Sequence, residues 1–261
     1  MSFLSALKDW EYLAKKDPLW AILSDPAKKD GRWQLDEFFA EGKREIESVM
    51  QFLARRGMQP VDFQSAVDFG CGVGRLSRAL APHFERVYAV DAAPTMIERA
   101  RELNGEHANI EFVLNREPRL SRFADGSVSF VYTNIVLQHI TYPESLGYVE
   151  EFMRVVKPGG VAVFQTPTLD RTPLPMRLLR AAVRRAVRVA QLPFDAFYMD
   201  MNTIPVSDIE RVAVGHRCEI LERFNVNRNH IGDDGTLRER RAPWFERLVS
   251  ECFIARKHVS P

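Results

Sequence analysis

The sequence predicts an α/β fold: a doubly wound, mostly parallel sheet of seven strands with helices on both faces. Three observations predict it. From Ala66 onward, short apolar runs alternate with helical stretches, the pattern of right-handed βαβ units. The strand candidates are nearly continuously apolar, as strands covered on both faces must be. A glycine-rich turn joins the first strand to the helix that follows it, at Gly70-Cys71-Gly72-Val73-Gly74. A helical N-terminal extension (1–62) precedes the main domain (63–261), which carries a helical insertion at about 166–202.

The elements follow in order. Asp36 is placed as the N-cap of a helix from about Glu37 to Arg56, with Phe38, Phe39, Ile46, Val49, Met50 and Leu53 at helical spacing and Gly57 and Pro60 as its stop. Ala66–Phe69 is the first strand, and the helix after its turn ends near Pro82. Arg86–Val90 is a strand and Ala93–Leu103 a helix. Ile110–Leu114 and Val128–Thr133 are strands, and Pro143–Val156 is a helix. Lys157-Pro158-Gly159-Gly160 then turns the chain into a strand at Val161–Gln165. Cys218–Val226 and Val249–Ala255 complete the seven, and the roughly 20 residues between them suit an antiparallel return at the sheet edge.

Composition narrows the function. The 261 residues hold 36 Lys+Arg against 35 Asp+Glu, a net charge of +1, which argues against a general nucleic-acid binder. Cys71, Cys218 and Cys252 have no CxxC spacing and read as reduced thiols rather than a disulfide frame or a zinc site. Lys8 and Asp9 interrupt the place where a signal peptide has its apolar core, and no run is long and apolar enough to span a bilayer. A cytoplasmic location is the expectation.

The chemistry lies in Val67-Asp68-Phe69-Gly70-Cys71-Gly72-Val73-Gly74-Arg75. Glycines here let the backbone turn sharply and let a ligand lie against main-chain atoms. A dinucleotide fingerprint, G-x-G-x-x-G, would need its third glycine at position 75, which is arginine. Asp68 would also repel a pyrophosphate and suits a cationic ligand. About 20 residues on, Asp91 ends the next strand, where a carboxylate can accept both ribose hydroxyls.

Four segments in order resemble the class I S-adenosylmethionine-dependent methyltransferases. They are the Val67–Gly74 motif, Asp91, Phe123-Ala124-Asp125-Gly126-Ser127-Val128-Ser129-Phe130-Val131, and Arg154-Val155-Val156-Lys157-Pro158-Gly159-Gly160. The resemblance covers about Gln64 to Pro167 and implies a Rossmann-like sheet with S-adenosyl-L-methionine as cosubstrate. It implies that Gly70, Cys71, Gly72 and Gly74 make room for the methionine part, that Asp68 lies near its amino group, and that Asp91 and Ala92 sit at the ribose. Met96 is placed to touch the adenine. Asn115-Arg116-Glu117 replaces the family's usual Gly-Asp pair, making Glu117 the candidate at the adenine amino group. Asn134 stands where the family has a residue against the sulfonium side.

A hydroxyl acceptor needs a base beyond the carboxyl ends of the strands. His139 follows the fourth strand and is the first candidate; a structural histidine is the competing reading. If the sixth strand runs parallel to the others, Asn227–Asp234 opens on the same side. His230 is then a second candidate base, and Asp233 a contact to a polyhydroxylated acceptor or a divalent cation. Trp33 and Tyr142, with Phe38, Tyr198 and Trp244, supply aromatic surface. No Asn-Pro-Pro-Tyr follows the fourth strand, which lowers nucleic-acid bases as acceptors. The reading is O-methylation of a small molecule or saccharide, with a nicotinamide-dependent oxidoreductase and a non-catalytic S-adenosylmethionine-binding relative as alternatives.

Within the insertion, Leu174–Leu192 holds Arg177, Arg180, Arg184, Arg185 and Arg188 and no acidic residue. Four of these arginines share one helical face. A lid or solvated helix, a membrane-surface helix and a site for an anionic acceptor are the three readings.

Overall fold

The computed structural model describes residues 3–189, 201–240 and 247–259. Two short helices, α1 (Phe3–Lys16) and α2 (Pro18–Ile22), lead into a long one, α3 (Leu35–Arg55). Strands β1 (Ser65–Phe69), β2 (Arg86–Asp91), β3 (Ile110–Leu114), β4 (Val128–Thr133) and β5 (Val156–Asp170) alternate with α4 (Arg75–Leu80), α5 (Pro94–Leu103) and α6 (Glu144–Val155). Then come α7 (Leu174–Val189), α8 (Val206–Gly215), β6 (Cys218–Asn225), β7 (Asn229–Ile231), β8 (Leu237–Glu239) and β9 (Leu248–Lys257).

The large sheet has the order β3-β2-β1-β4-β5-β9-β6. Strands β1 to β5 are parallel, and β9 runs antiparallel to both β5 and β6. The sequence therefore predicts the seven strands, and β6 does run parallel to the central strands. The β-strand period of two sends alternate residues to opposite cores. On β4, Val131 joins Tyr148, Phe152 and Ile209 of α6 and α8 on one face, and so does Val128, which lies before the register shift in that strand. Phe130 and Tyr132 join Ile46, Phe52 and Leu80 of α3 and α4 on the other. So α3 belongs to a core layer, and α1 and α2 pack instead on α5, with Leu13, Ala14 and Ala21 beside Met96 and Val73.

Local expectations change in places. The α3 helix starts at Leu35 after Gln34, so Asp36 lies in the first turn, where its charge meets the helix dipole, and no side-chain cap forms. Its stop is as read: Gly57 has φ +64° and Met58 N–H donates to Leu53 C=O at 2.8 Å. Lys157–Gly160 bulges within β5 rather than preceding it, because Val156 already pairs with Val128 before Val161 pairs with Phe130. The chain returns from β6 to pair antiparallel as β9 at the sheet edge, and on the way it carries a separate hairpin, β7 and β8, against α3, where Gly235 approaches Gln51 and Phe52 too closely for a Cβ.

The insertion begins later than expected, since β5 pairs with β9 as far as Asp170. Residues 190–192 of the arginine-rich stretch, Tyr198 and Trp244 lie outside the described residues. The chain returns with Asn202 N–H donating to Gln138 C=O at 2.7 Å and Ile204 N–H to Pro167 C=O at 2.9 Å.

Candidate active site

Strand order reverses at β1 and β4: the chain moves outward to β2 and β3 on one side, then crosses to β4 and β5 on the other. In open α/β sheets a crevice forms at such a switch point, beyond the carboxyl ends of the strands. A cavity of about 770 Å³ occupies it. Its floor is Phe69–Gly72, Val90–Ala93, Asn115, Asn134–Val136 and Gln138–Thr141; its roof is Leu7 and Trp10 of α1 and Trp20–Ser24 of α2 and the residues just after it.

The glycine turn is tied to β2. Gly70 and Cys71 N–H both donate to Val90 C=O, at 2.8 and 3.0 Å. Gly70 and Gly72 have φ of +75° and +54°, a left-handed conformation that side chains rarely adopt. A Cβ on Gly70 would also stand 2.4 Å from Val136 Cγ2. Gly74 lies behind the turn, against Asn104, and Cys71 packs with Ala89 and Ile97.

Asp91 is half-buried at the end of β2 and straps the turn. Its Oδ2 accepts from Gly72 N–H at 2.9 Å and its Oδ1 from Ala93 N–H at 2.9 Å. Burial pushes its carboxyl above the usual range, against the pull of those N–H groups. Each oxygen keeps a lone pair for a hydroxyl from the cavity. Ala92 and Met96 also line the cavity, and Met96 is at the same time a core residue.

Asp68 is fully buried and accepts from the Ser77 hydroxyl at 2.5 Å. Burial pushes its carboxyl up to about 7, against the Ser77 bond and the Arg75 charge. It stands one layer behind the cavity wall, and its Oδ1 is buried with no hydrogen-bond partner among the described residues. The positive-φ turn and the Asp91 carboxylate at the cavity, with this open acceptor behind them, are chemically compatible with S-adenosylmethionine.

Asn134 lines the cavity and gives its amide N–H to Glu45 Oε1 at 2.8 Å. The next residue, Ile135, has φ +62°, strained for a β-branched side chain, and its N–H is held by Gln165 Oε1 at 3.0 Å. His139, half-buried on the same wall, lies 3.1 Å from Gln138 Nε2 through its Nε2. The ring of Trp10 meets it edge-on at 5.2 Å.

Other predicted residues lie elsewhere. Glu117 is exposed and accepts from the Ser121 hydroxyl; Asn115, two residues before it, reaches the cavity instead because its N–H is pinned to Asp91 C=O. Trp33 holds the roof from outside, donating to Leu23 C=O at 3.1 Å and packing on Phe38. Tyr142 faces away and donates to Asp208 at 3.1 Å. His230 and Asp233 ride on the β7–β8 hairpin against α3, apart from His139 and outside the cavity walls. They follow a strand of the right direction, but the hairpin packs sideways. Among the described residues no group of three or more His, Cys, Asp or Glu is placed to hold a metal ion.

Sequence reasoning missed Glu45 and Arg75. Trp10 and Trp20, in an aromatic-rich leading segment of the sequence, lie in the cavity roof. Arg75 is 3% exposed and pairs with Glu45 at 2.9 Å, a contact no local pattern signals.

Known proteins resemble this chain in sequence and in fold. Residues 67–164 match a family described as a methyltransferase domain. An uncharacterized 37.1 kDa protein in a transposon of Streptomyces fradiae is 27% identical over 74% of this chain and 59% of its own length. The 2-methyl-6-phytyl-1,4-hydroquinone methyltransferase of Synechocystis is 34% identical over 38% of this chain and 30% of its own. The chain thus spans less than two thirds of these relatives. A solved S-adenosylmethionine-dependent methyltransferase from Leishmania major shares the fold, with a TM-score of 0.58, 12% identity, and coverage of 97% of this chain and 82% of that one.

Proposed function

We propose that this chain, whose residues 67–164 match a methyltransferase-domain family, is a class I S-adenosylmethionine-dependent methyltransferase that transfers the cosubstrate's methyl group to a hydroxyl of a small molecule with a largely apolar body. The observation that carries the reading is one cavity joining the glycine turn and Asp91 to His139 beneath tryptophan and aliphatic walls.

Bound S-adenosylmethionine supplies a methyl carbon activated by a sulfonium, ready for in-line displacement by an acceptor aligned about 3 Å away. Asp91 accepts the two ribose hydroxyls. Asn115 meets the adenine edge, and Asp68 attracts the amino group. Asn134 presents its amide oxygen to the sulfonium side. The apolar roof excludes water and holds the acceptor ring. His139 takes the acceptor's hydroxyl proton as the new O–CH₃ bond forms, general-base work typical of an imidazole.

The walls bear on the acceptor. Leu7, Trp10, Trp20, Ile22, Leu23, Val136 and Ile140 favour burial of apolar surface. A saccharide would stack one face on a tryptophan, but its remaining hydroxyls would face aliphatic side chains at a desolvation cost. The hydroxyl acceptor is therefore read as phenolic or isoprenoid before saccharide.

The test is a panel of phenols, isoprenoid alcohols, saccharides and amines incubated with methyl-labelled donor. Label on phenols or isoprenoid alcohols is the expected result. Label on amines or saccharides alone overturns the acceptor class, and absence of turnover over a broad panel favours the non-catalytic relative. Calorimetric titration with S-adenosylmethionine, its demethylated product and NAD separates the methyltransferase from the oxidoreductase.

A further inference from the structure

Helix α7 leaves the sheet just past the carboxyl end of β5, the end at which the cavity lies, and the chain rejoins the cavity wall at Met201. Among its described side chains only Val187 is buried. Leu174, Leu178 and Leu179 are 65%, 62% and 63% exposed, and Met176 and Val183 are exposed as well. Such a run of large apolar side chains left in water marks a surface meant for contact.

The exposure is organised. At 3.6 residues per turn, Leu178, Leu179, Ala182, Val183 and Ala186 line one side of α7, and Arg177 and Arg180 line the other. Positions 184 and 188 continue the arginine row in the sequence, and no Asp or Glu occurs between 174 and 192. Arg177 reaches back to Asp170 at 3.5 Å, while Arg180 and Arg185 are exposed. A basic side and an apolar side on one helix match the two layers of a bilayer interface: phosphate headgroups and the upper acyl chains. No helix among the described residues is long and apolar enough to cross a membrane, so the contact is in the plane of the surface.

We propose that α7 docks this protein on an anionic lipid bilayer, with its leucine and valine side in the acyl boundary and its arginines against headgroup phosphates. Nucleic acid would engage the arginines but leave Leu178, Leu179 and Val183 in water. A second copy laid on the apolar stripe would cover Leu178, Leu179 and Val183 but leave the arginine side without an anionic partner. The bilayer satisfies both sides at once. Docking there turns the cavity end of the sheet toward the membrane, where a lipophilic acceptor would be concentrated; that consequence rests on the proposed methyl transfer, whereas the docking does not.

The test uses the full chain and no turnover. The protein is sedimented with vesicles of phosphatidylcholine alone and of equal parts phosphatidylcholine and phosphatidylglycerol. Binding to the anionic vesicles only is expected, weakened by added salt. The pairs Leu178→Asp with Leu179→Asp, and Arg177→Glu with Arg180→Glu, should each weaken it by at least about tenfold. All four side chains are exposed, so urea midpoints should stay near the parent value, which checks that the fold is intact. Absence of sedimentation with anionic vesicles overturns the proposal. So does equal binding by the leucine pair, a dimer in solution that Leu178→Asp dissolves, or binding to single-stranded RNA without binding to vesicles.

Discussion

Glu45 on α3 accepts the Asn134 amide N–H at 2.8 Å with the same Oε1 that accepts the Tyr132 hydroxyl at 2.8 Å. Its Oε2 pairs with the Arg75 guanidinium at 2.9 Å. A carboxylate only accepts, so Asn134 must turn its NH₂ to Glu45 and its oxygen toward the cavity. One side chain of the core layer thereby orients a residue of the candidate site. Glu45→Ala leaves Arg75 a buried cation without its partner and should cost about 3 kcal/mol in urea unfolding. Glu45→Gln keeps the volume but frees the amide orientation. Its kcat should fall about tenfold while S-adenosylmethionine affinity changes little. A parent-like urea midpoint for Glu45→Ala would remove the ion pair from the stability of the fold.

Asp91 is expected to hold the ribose by charge-assisted hydrogen bonds, each worth roughly 1.5–3 kcal/mol. Asp91→Ala should weaken S-adenosylmethionine binding at least about tenfold in calorimetric titration. Because Asp91 also ties Gly72 and Ala93, Asp91→Asn is the companion variant: it keeps part of the strap and should lose less affinity. Unchanged affinity in both would take Asp91 out of the ribose site.

His139→Ala should lower kcat by about 10²–10⁴-fold, the usual contribution of a positioned base, with S-adenosylmethionine affinity nearly intact. His230→Ala is the control, since its hairpin lies outside the cavity walls, and it should turn over like the parent. An effect of His230→Ala without one of His139→Ala would reverse the assignment.

Asp68 should leave a pH signature in stability. Its folded carboxyl sits at about 7, above the roughly 3.9 of an unfolded aspartate, because burial disfavours the charge. Between those values the unfolded chain releases a proton that the folded chain keeps. Rising pH then favours unfolding: the contribution is fully present below about pH 4 and is lost as pH rises through about 7. Asp68→Asn has no such proton. The urea midpoint of Asp68→Asn relative to the parent should therefore shift in the variant's favour between about pH 5 and about pH 8. A constant difference across that range would contradict the raised carboxyl.

Gly70 faces Val136 across a gap with no room for a methyl group. Gly70→Ala meets both that contact and a φ of +75°, a conformation costing a side chain roughly 1–2 kcal/mol. It should weaken S-adenosylmethionine binding and lower the melting temperature. Adding Val136→Ala should recover part of the stability, because it relieves the contact and leaves the φ strain. No recovery would mean that φ alone sets the need for glycine here.

The strands, their order of appearance, the glycine turn and Asp91 were legible in the sequence, because each is written in neighbouring residues. Period-two and period-3.6 apolar patterns and turn chemistry act over a few positions, and five parallel strands in succession leave few ways to connect them. The insertion of β9 between β5 and β6, the sideways hairpin carrying His230 and Asp233, and the tryptophan roof over the cavity were decided by tertiary packing. So was the Glu45 network, which joins residues 30 and 89 positions apart. Such contacts depend on which faces of distant helices meet, and a local pattern records only that a face is apolar, not what covers it. The exposed stripe of α7 shows the same limit: its amphipathic character could be read from the sequence, but only the folded chain shows that its own core leaves the leucines uncovered.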